Sequence, residues 1–350
     1  MNKILFTDKI NSYFSNADSK IFDGLSYSSD SLFIYSRKLD KKLVIAENNN
    51  QGERLYRELK LLNSKYNDEK IIFIPGTEEM PYDMVDSDKF LSSKKNLSLV
   101  QYIESKSEKI TIITTAKNLQ KKLILKNILV KETIKVSKNK VLDVGTLKSR
   151  LVKIGYVNNP QVNFHGEFSI RGSIIDIYPG GYKNPIRIDL NDIEVETIKS
   201  FNTHNQITIT ESEKKDAYIV PMNNMIYGED NIISFRKKFR EIFEGNPNNS
   251  DVYSGISNGL IPQGFNNYFP LLFNQADNIF NYLDDINNVI IYDTLNKKIE
   301  ENYEIINEKF IFSKENGDSV LNPKHIFLDN DFINSEINKK SVTKIFQGKT

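Results

Sequence analysis

Apolar and polar positions over roughly the first 130 residues follow two patterns in turn. Short, continuous apolar runs, typical of buried parallel strands, occupy residues 43–46, 71–74 and 110–114. Apolar residues spaced three and four apart predict helices over residues 52–65, 92–105 and 118–129. This alternation of strand and helix predicts right-handed βαβ units and a parallel sheet, and therefore an α/β fold.

Between residues 168 and 201 the pattern changes to the period-two alternation of half-buried strands. The runs lie at residues 169–178, 185–190 and 193–201, and Pro179-Gly180-Gly181 lies where the first two must reverse direction. In the second run the apolar side chains share one face, and the polar side chains of Arg187, Asp189 and Asn191 share the other. We predict a small antiparallel sheet whose charged outer face is a docking surface rather than a catalytic site.

These patterns divide the chain into four parts. Residues 1–132 form the parallel-sheet part, and residues 133–210 form the β-rich part, with a helix at residues 142–150. Residues 211–312 have a mixed α/β pattern, with helices at residues 232–243 and 294–310 and a strand at 288–292. Little periodicity follows Ser313, so residues 313–350 are expected to be a linker toward further domains.

Composition narrows the function classes. The 47 Lys and Arg residues nearly balance the 46 Asp and Glu residues, so the chain lacks the basic footprint of a dedicated DNA-binding protein. There is no cysteine and the three histidines are scattered, so disulfides are excluded and no metal site is expected. No apolar run approaches the ~20 residues that a membrane span needs. We expect a cytoplasmic monomer with no cofactor of its own.

The β-rich part carries a specific motif. Residues 171–179 read RGSIIDIYP, residues 185–190 read PIRIDL, and Glu194 and Phe201 follow. This arrangement resembles a segment shared by the excision-repair protein UvrB and the transcription-repair coupling factors (Mfd). In both families the segment lies in the domain that binds UvrA.

Two further segments resemble the coupling factors, namely residues 72–83 (IFIPGTEEMPYD) and 259–273 (GLIPQGFNNYFPLLF). With gaps, the similarity runs from about residue 43 to about residue 283. It corresponds to the amino-terminal, UvrB-like module of a longer protein. The resemblance implies a degenerate RecA-like domain with an inserted UvrA-binding domain and a third, mixed α/β domain.

A missing phosphate loop separates this chain from UvrB. A RecA-like motor needs a Gly-rich loop with Lys and Ser/Thr after its first strand, because backbone N–H groups and the Lys hold the phosphates. The corresponding residues 24–31 (GLSYSSDS) contain no lysine, and Asp30 would repel a triphosphate. UvrB also inserts a DNA-clamping hairpin after its equivalent of Tyr82, where this chain has only residues 83–91 before the next helix. The resemblance is therefore to the coupling factors, whose first domain is degenerate in the same way.

The resemblance implies an adaptor. Coupling factors recognise RNA polymerase stalled at a DNA lesion, displace it with an ATP-driven DNA translocase, and recruit UvrA for nucleotide excision repair. The domains that bind polymerase and DNA and that use ATP and Mg are expected beyond residue 350, so this chain is expected to be non-catalytic. Two alternatives stay open: a UvrB-related, nucleotide-dependent, helicase-like enzyme, and a structural protein with no surviving partner.

Two arginines are the first candidate site residues. Arg171 and Arg187 match the arginines with which the family contacts UvrA, and an Arg fork can hold a carboxylate through two charge-assisted hydrogen bonds. The simpler interpretation is that both are surface arginines paired with Asp176, Asp189 or Glu194.

Asn191 is the third candidate. The family has an aromatic anchor at this position, and buried aromatic residues commonly supply much of the affinity of an interface. The asparagine is therefore expected to weaken the UvrA contact, unless Tyr178 or Phe168 compensates.

Overall fold

The computed structural model describes residues 21–25, 28–37, 39–64, 69–85, 88–224, 226 and 228–347. Within these residues the strands are β1 (Ile21–Leu25), β2 (Lys41–Ala46), β3 (Lys70–Phe73), β4 (Ile110–Thr115), β5 (Ile134–Ser137), β6 (Val157–Asn158), β7 (Glu167–Arg171), β8 (Ile174–Ile177), β9 (Ile186–Asn191), β10 (Glu194–Ser200), β11 (Asp216–Ile219), β12 (Asn288–Tyr292) and β13 (Ser341–Gln347). The helices are α1 (Ser29–Ser36), α2 (Asn49–Asn63), α3 (Lys89–Ile103), α4 (Ala116–Gln120), α5 (Lys126–Glu132), α6 (Val144–Lys153), α7 (Glu229–Ile242), α8 (Asp251–Ser257), α9 (Ile279–Tyr282), α10 (Leu295–Glu315), α11 (Pro323–Ile326) and α12 (Asn330–Asn338).

Six parallel strands form the main sheet, in the order β1-β13-β12-β2-β4-β3. Helices cover both faces, which explains why most residues of the central strands are buried. In β2, Val44 packs against the helices α1 and α2 on one face, whereas Leu43 and Ile45 enter the larger core on the other. The predicted α/β fold with a parallel sheet is confirmed, and β2, β3, β4 and β12 lie close to the predicted positions, whereas the sequence pattern predicts no strand at β1 or β13.

The β-rich part is inserted in the chain between β4 and β12 and has a hydrophobic core of its own. Strands β7 to β10 pair in antiparallel order, β6 adds to β7 in parallel, and β5 and β11 form a separate antiparallel pair. Ile175, Ile188 and Ile198 face this core, where Leu147 and Leu151 of α6 cover them. The predicted small sheet with one apolar face is therefore confirmed.

Gly180 sets the contact between the β-rich part and helix α3. A Cβ atom at this position would lie 2.0 Å from Cβ of Ser93, so only a residue without a side chain fits. The backbone N–H of Gly180 also donates to the hydroxyl of Tyr156, 3.2 Å away, in the core of the β-rich part. The Pro-Gly-Gly segment thus connects β8 to β9 and, at the same time, joins the two parts of the molecule.

The predicted helix at residues 118–129 is wrong in its middle. The structure has two short helices, α4 and α5, separated by an extended stretch. In that stretch the backbone N–H of Lys122 donates to the carbonyl of Ile326, and the N–H of Leu123 donates to the carbonyl of Asp277. These distant partners replace the helical hydrogen bonds, so tertiary contacts override the local pattern.

The predicted single strand at residues 169–178 is a hairpin. Gly172 has φ +60°, in the left-handed region that favours glycine, and it reverses the chain between β7 and β8. Arg171 and Ile174 are therefore paired neighbours across the turn.

Residues 211–312 and the residues that follow join the main sheet and its core. Strand β12 lies beside β2, and side chains from α7 to α10 enter the larger core. The expected linker after Ser313 is wrong, because two helices follow and β13 then pairs in parallel with both β12 and β1. The division into four domains otherwise stays a prediction. None of the helices formed by the described residues is both long and apolar enough to cross a membrane.

Candidate docking face

The outer face of the β-rich sheet contains the three candidate residues. Arg187, Asp189 and Asn191 alternate with buried residues along β9, and their side chains lie on the side away from the core. Asp176 is directly opposite Arg187 on β8, and Ile174 is opposite Asp189. The charged face predicted from the alternation is therefore present.

Arg171 and Arg187 meet on one carboxylate. Arg187 donates from Nε to Oδ1 of Asp176 (2.7 Å) and from Nη2 to Oδ2 (2.9 Å). Arg171 donates from Nη2 to the same Oδ2 atom. Asp176 is only 1% exposed, so the two guanidinium groups and this carboxylate form one ion cluster on the face.

The two arginines differ in how much of the guanidinium group remains exposed and able to bind a partner. The side chain of Arg187 is 16% exposed, and its Nη1 atom also donates to the carbonyl oxygen of Gln206 (3.1 Å). The hydrogen bond to Asp176 raises the pKa of Arg187 above its usual value. The side chain of Arg171 is 52% exposed, and Asp176 is the one acceptor that it contacts within the described residues. Arg171 is therefore free to hold a second carboxylate, whereas Arg187 is fixed.

Asn191 is not part of this cluster. It lies four residues after Arg187 on the same strand, roughly 13 Å away at the usual rise of an extended chain. It is exposed at the end of β9, where it is paired with Glu194 of β10. The structure thus brings together two of the three candidates and leaves the third at the edge of the same face.

The suggested aromatic substitutes for Asn191 do not lie beside it. Phe168 is fully buried in the core of the β-rich part. Tyr178 stacks on His165 with ring centroids 3.8 Å apart, next to the Pro-Gly-Gly segment and away from Asn191. The exposed apolar side chains near Asn191 are instead Ile174 and Ile193, which are 36% and 53% exposed.

Asp176 is the member of the ion cluster that the sequence pattern alone does not identify. No pattern distinguishes it from Asp189 or Glu194 as the ion-pair partner of the two arginines. The register of the strands β8 and β9 identifies Asp176 as the ion-pair partner, because it places Asp176 opposite Arg187. Asp189 accepts a hydrogen bond from the hydroxyl of Thr197 instead, at 2.7 Å.

An internal ion pair lies where a RecA-like motor would have its phosphate loop. Asp30 lies in the first turn of α1, is buried, and accepts hydrogen bonds from Nη1 of Arg54 (2.9 Å) and from the hydroxyl of Tyr292 (2.7 Å). The ion pair with Asp30 raises the pKa of Arg54. This helix start is thus occupied by an internal ion pair; residues 26–27 of the loop lie outside the described residues.

Comparison with known protein families places the face within one domain. Residues 134–224 match the family model of the UvrB interaction domain. This range contains Arg171, Arg187, Asn191 and Asp176, and it coincides closely with the separate core of the β-rich part.

Curated relatives extend the similarity to most of the chain. The chain is 24% identical to the transcription-repair-coupling factor of Haemophilus influenzae over 325 residues, covering 91% of this chain and 28% of that protein. It is 25% identical to the factor of Rickettsia typhi over 82% of this chain and 25% of that protein. For the factor of Escherichia coli the identity is 25% over 69% of this chain and 20% of that protein. The chain thus spans about a quarter of the length of these relatives.

Proposed function

Because the chain contains a UvrB interaction domain and is similar at low identity to transcription-repair coupling factors over most of its length, we propose that it recruits UvrA for nucleotide excision repair. The docking face is the outer surface of strands β7 to β9. Arg171 supplies the guanidinium group that takes a carboxylate of UvrA, while Arg187 and Asp176 hold it in place. The observation that carries the proposal is the convergence of both arginines on Asp176, on the exposed side of the matched domain.

The proposal assigns no reaction to this chain. In a complete coupling factor, other parts would bind RNA polymerase and DNA and would hydrolyse ATP. The helicase-like alternative needs a phosphate site after β1, but Asp30 and Arg54 form an internal ion pair there. We therefore assign this chain the role of an adaptor.

Substitution of Arg171 tests the proposal directly. Immobilised wild-type chain is expected to bind purified UvrA, and Arg171→Ala is expected to weaken binding by about tenfold or more, the usual effect of removing an interface arginine. Arg150→Ala, which removes an exposed arginine of α6 in the same domain, serves as the matched control. Wild-type chain that retains no UvrA, or an Arg171→Ala chain that retains as much as wild type, would contradict the assignment.

Restoring an aromatic residue at position 191 is expected to strengthen the contact. In Asn191→Phe the ring would be exposed at the end of β9, and we expect the affinity for UvrA to increase by about tenfold. Titration of UvrA onto both proteins, measured by surface plasmon resonance, gives the ratio. An unchanged affinity would show that the edge of the face near Asn191 does not touch UvrA.

A further inference from the structure

A cleft lined by charged side chains lies at the carboxyl edge of the main sheet, outside the docking face. The segment after β3 and the end of α4 form one side of it, and α10 forms the other. Its cavity volume is about 70 Å³, room for several water molecules or one small anion. The lining includes the cations Lys117 and Lys121, the carboxylates Glu79 and Asp83, and apolar side chains of α10 such as Ile306. Ligands of open α/β sheets bind at this edge, beyond the carboxyl ends of the strands.

Two buried lysines contribute positive charge here. The side chain of Lys121 is 12% exposed, and its Nζ atom lies 3.9 Å from Oε2 of Glu79. Lys95 of α3 is 2% exposed, and the charges of Lys121 and Glu79 both act on it. Burial lowers the pKa of both lysines, that of Lys95 to about 7, and the exposed Lys117 lowers the pKa of Lys121 further. Buried cations are normally paired, because leaving water costs a charged group much free energy.

The nearby carboxylates are already engaged. Glu79 accepts hydrogen bonds from the backbone N–H of Asp88 (2.9 Å) and from the side-chain amide of Asn266 (3.1 Å). Asp83, which also lines the cleft, is 3.4 Å from the ammonium group of Lys309. Oδ1 of Asn266 is buried and has no hydrogen-bond partner within the described residues. An acceptor without a partner needs a donor, which a water molecule or the P–OH group of a protonated phosphate can supply.

We propose that this cleft binds a small oxyanion of the phosphate type, which Lys121 holds at the cleft wall and to which Lys95 adds its positive charge. Among the described residues, Lys95 and Lys121 have one carboxylate near them, that of Glu79, and the anion would supply a second negative charge. The apolar side chains in the lining, among them Ile305, Ile306 and Phe327, reduce contact with water and so strengthen the attraction. The site is independent of the docking face, and its test does not involve UvrA.

Thermal unfolding in increasing phosphate tests this proposal, with chloride at matched ionic strength as the reference. The melting temperature of the wild-type chain is expected to rise along a saturable curve, because a ligand that binds only the folded state stabilises it by a logarithmic law. Lys121→Met is expected to lose the saturable part, which corresponds to binding at least about tenfold weaker. Lys121→Arg keeps the charge and is expected to retain binding. Lys131→Met, which removes an exposed lysine of α5, is expected to behave like wild type.

Two outcomes would overturn the proposal. One is a linear rise of the same slope in all four proteins, which is the general effect of excluded salts on protein stability. The other is a saturable rise that persists in Lys121→Met. A second arm separates free phosphate from a phosphate group carried on a nucleotide. Displacement of phosphate by Mg-ATP in the wild-type chain, lost in Lys121→Met, would support a nucleotide phosphate at this cleft, and no displacement would support the free anion.

Discussion

Arg187→Ala is expected to lower the free energy of unfolding of the β-rich part by about 3–5 kcal/mol, the usual cost of leaving a buried charge without its partner. Asp176 is 1% exposed and receives two of its hydrogen bonds from Arg187. Removing that guanidinium leaves the carboxylate with a single, exposed partner, Arg171. The substitution also removes the contact of Arg187 with the ring of Phe201, whose centroid lies 4.8 Å from the guanidinium carbon.

Arg171→Ala is the matched comparison. Its side chain is half exposed, so its removal is expected to cost about 1 kcal/mol or less. Urea unfolding followed by circular dichroism gives both values. Equal losses from the two variants would mean that Asp176 does not depend on Arg187. The difference also explains why Arg171 is the better residue for binding studies, since Arg187→Ala changes folding and docking together.

Lys95→Met is expected to raise the free energy of unfolding near neutral pH by about 1–4 kcal/mol, in the absence of added phosphate. Burial lowers the pKa of Lys95 from 10.5 to about 7, so the folded chain holds the charged form at a cost. Between these two values the unfolded chain binds a proton that the folded chain has released, and wild-type stability therefore increases as the pH rises from about 7 toward 10.5.

Urea unfolding at several pH values distinguishes this effect from ordinary surface-charge effects. The advantage of Lys95→Met over wild type is expected to be largest below pH 7 and to shrink as the pH rises. Lys131→Met serves as the control, because Lys131 is exposed and its removal leaves no buried charge. A constant difference between wild type and Lys95→Met at all pH values would contradict the assigned titration. The same variant should bind phosphate more weakly at the proposed cleft, so stability would increase while phosphate affinity decreases.

The sequence predicted four of the six strands of the main sheet, namely β2, β3, β4 and β12, because buried parallel strands are rich in apolar residues. Residues of β2 and β4 face two cores at once, so most of their positions are apolar and the threonines of β4 are buried as well. The sequence failed where distant partners decide the local structure. Residues 121–125 have a helical composition, yet Asp277 and Ile326 hold their backbone in an extended form. Strand β13 (SVTKIFQ) has no long apolar run, and its neighbours β12 and β1 are far away in the chain, so no local pattern predicts it.

The site was predictable in composition but not in geometry. Alternation along β9 placed Arg187 and Asn191 on one face, and the structure agrees. The alternation could not show that Gly172 folds residues 169–178 into a hairpin, which brings Arg171 to Asp176. Nor could it show that Lys95 and Lys121, 26 positions apart, share Glu79, since that depends on how α3 and α4 pack. Whether UvrA binds Arg171, Arg187 and Asn191 stays a prediction.

The place of β13 has a consequence for synthesis on the ribosome. All strand partners of the β-rich part lie between residues 134 and 219, so this part can fold as soon as it has emerged. The main sheet cannot, because β1, early in the chain, pairs within the described residues with β13, which is translated much later. Such long-range pairing is slow and leaves strand edges open in the meantime. During translation, the candidate docking face can therefore form before the main sheet, whose strand β1 has to wait for the synthesis of β13.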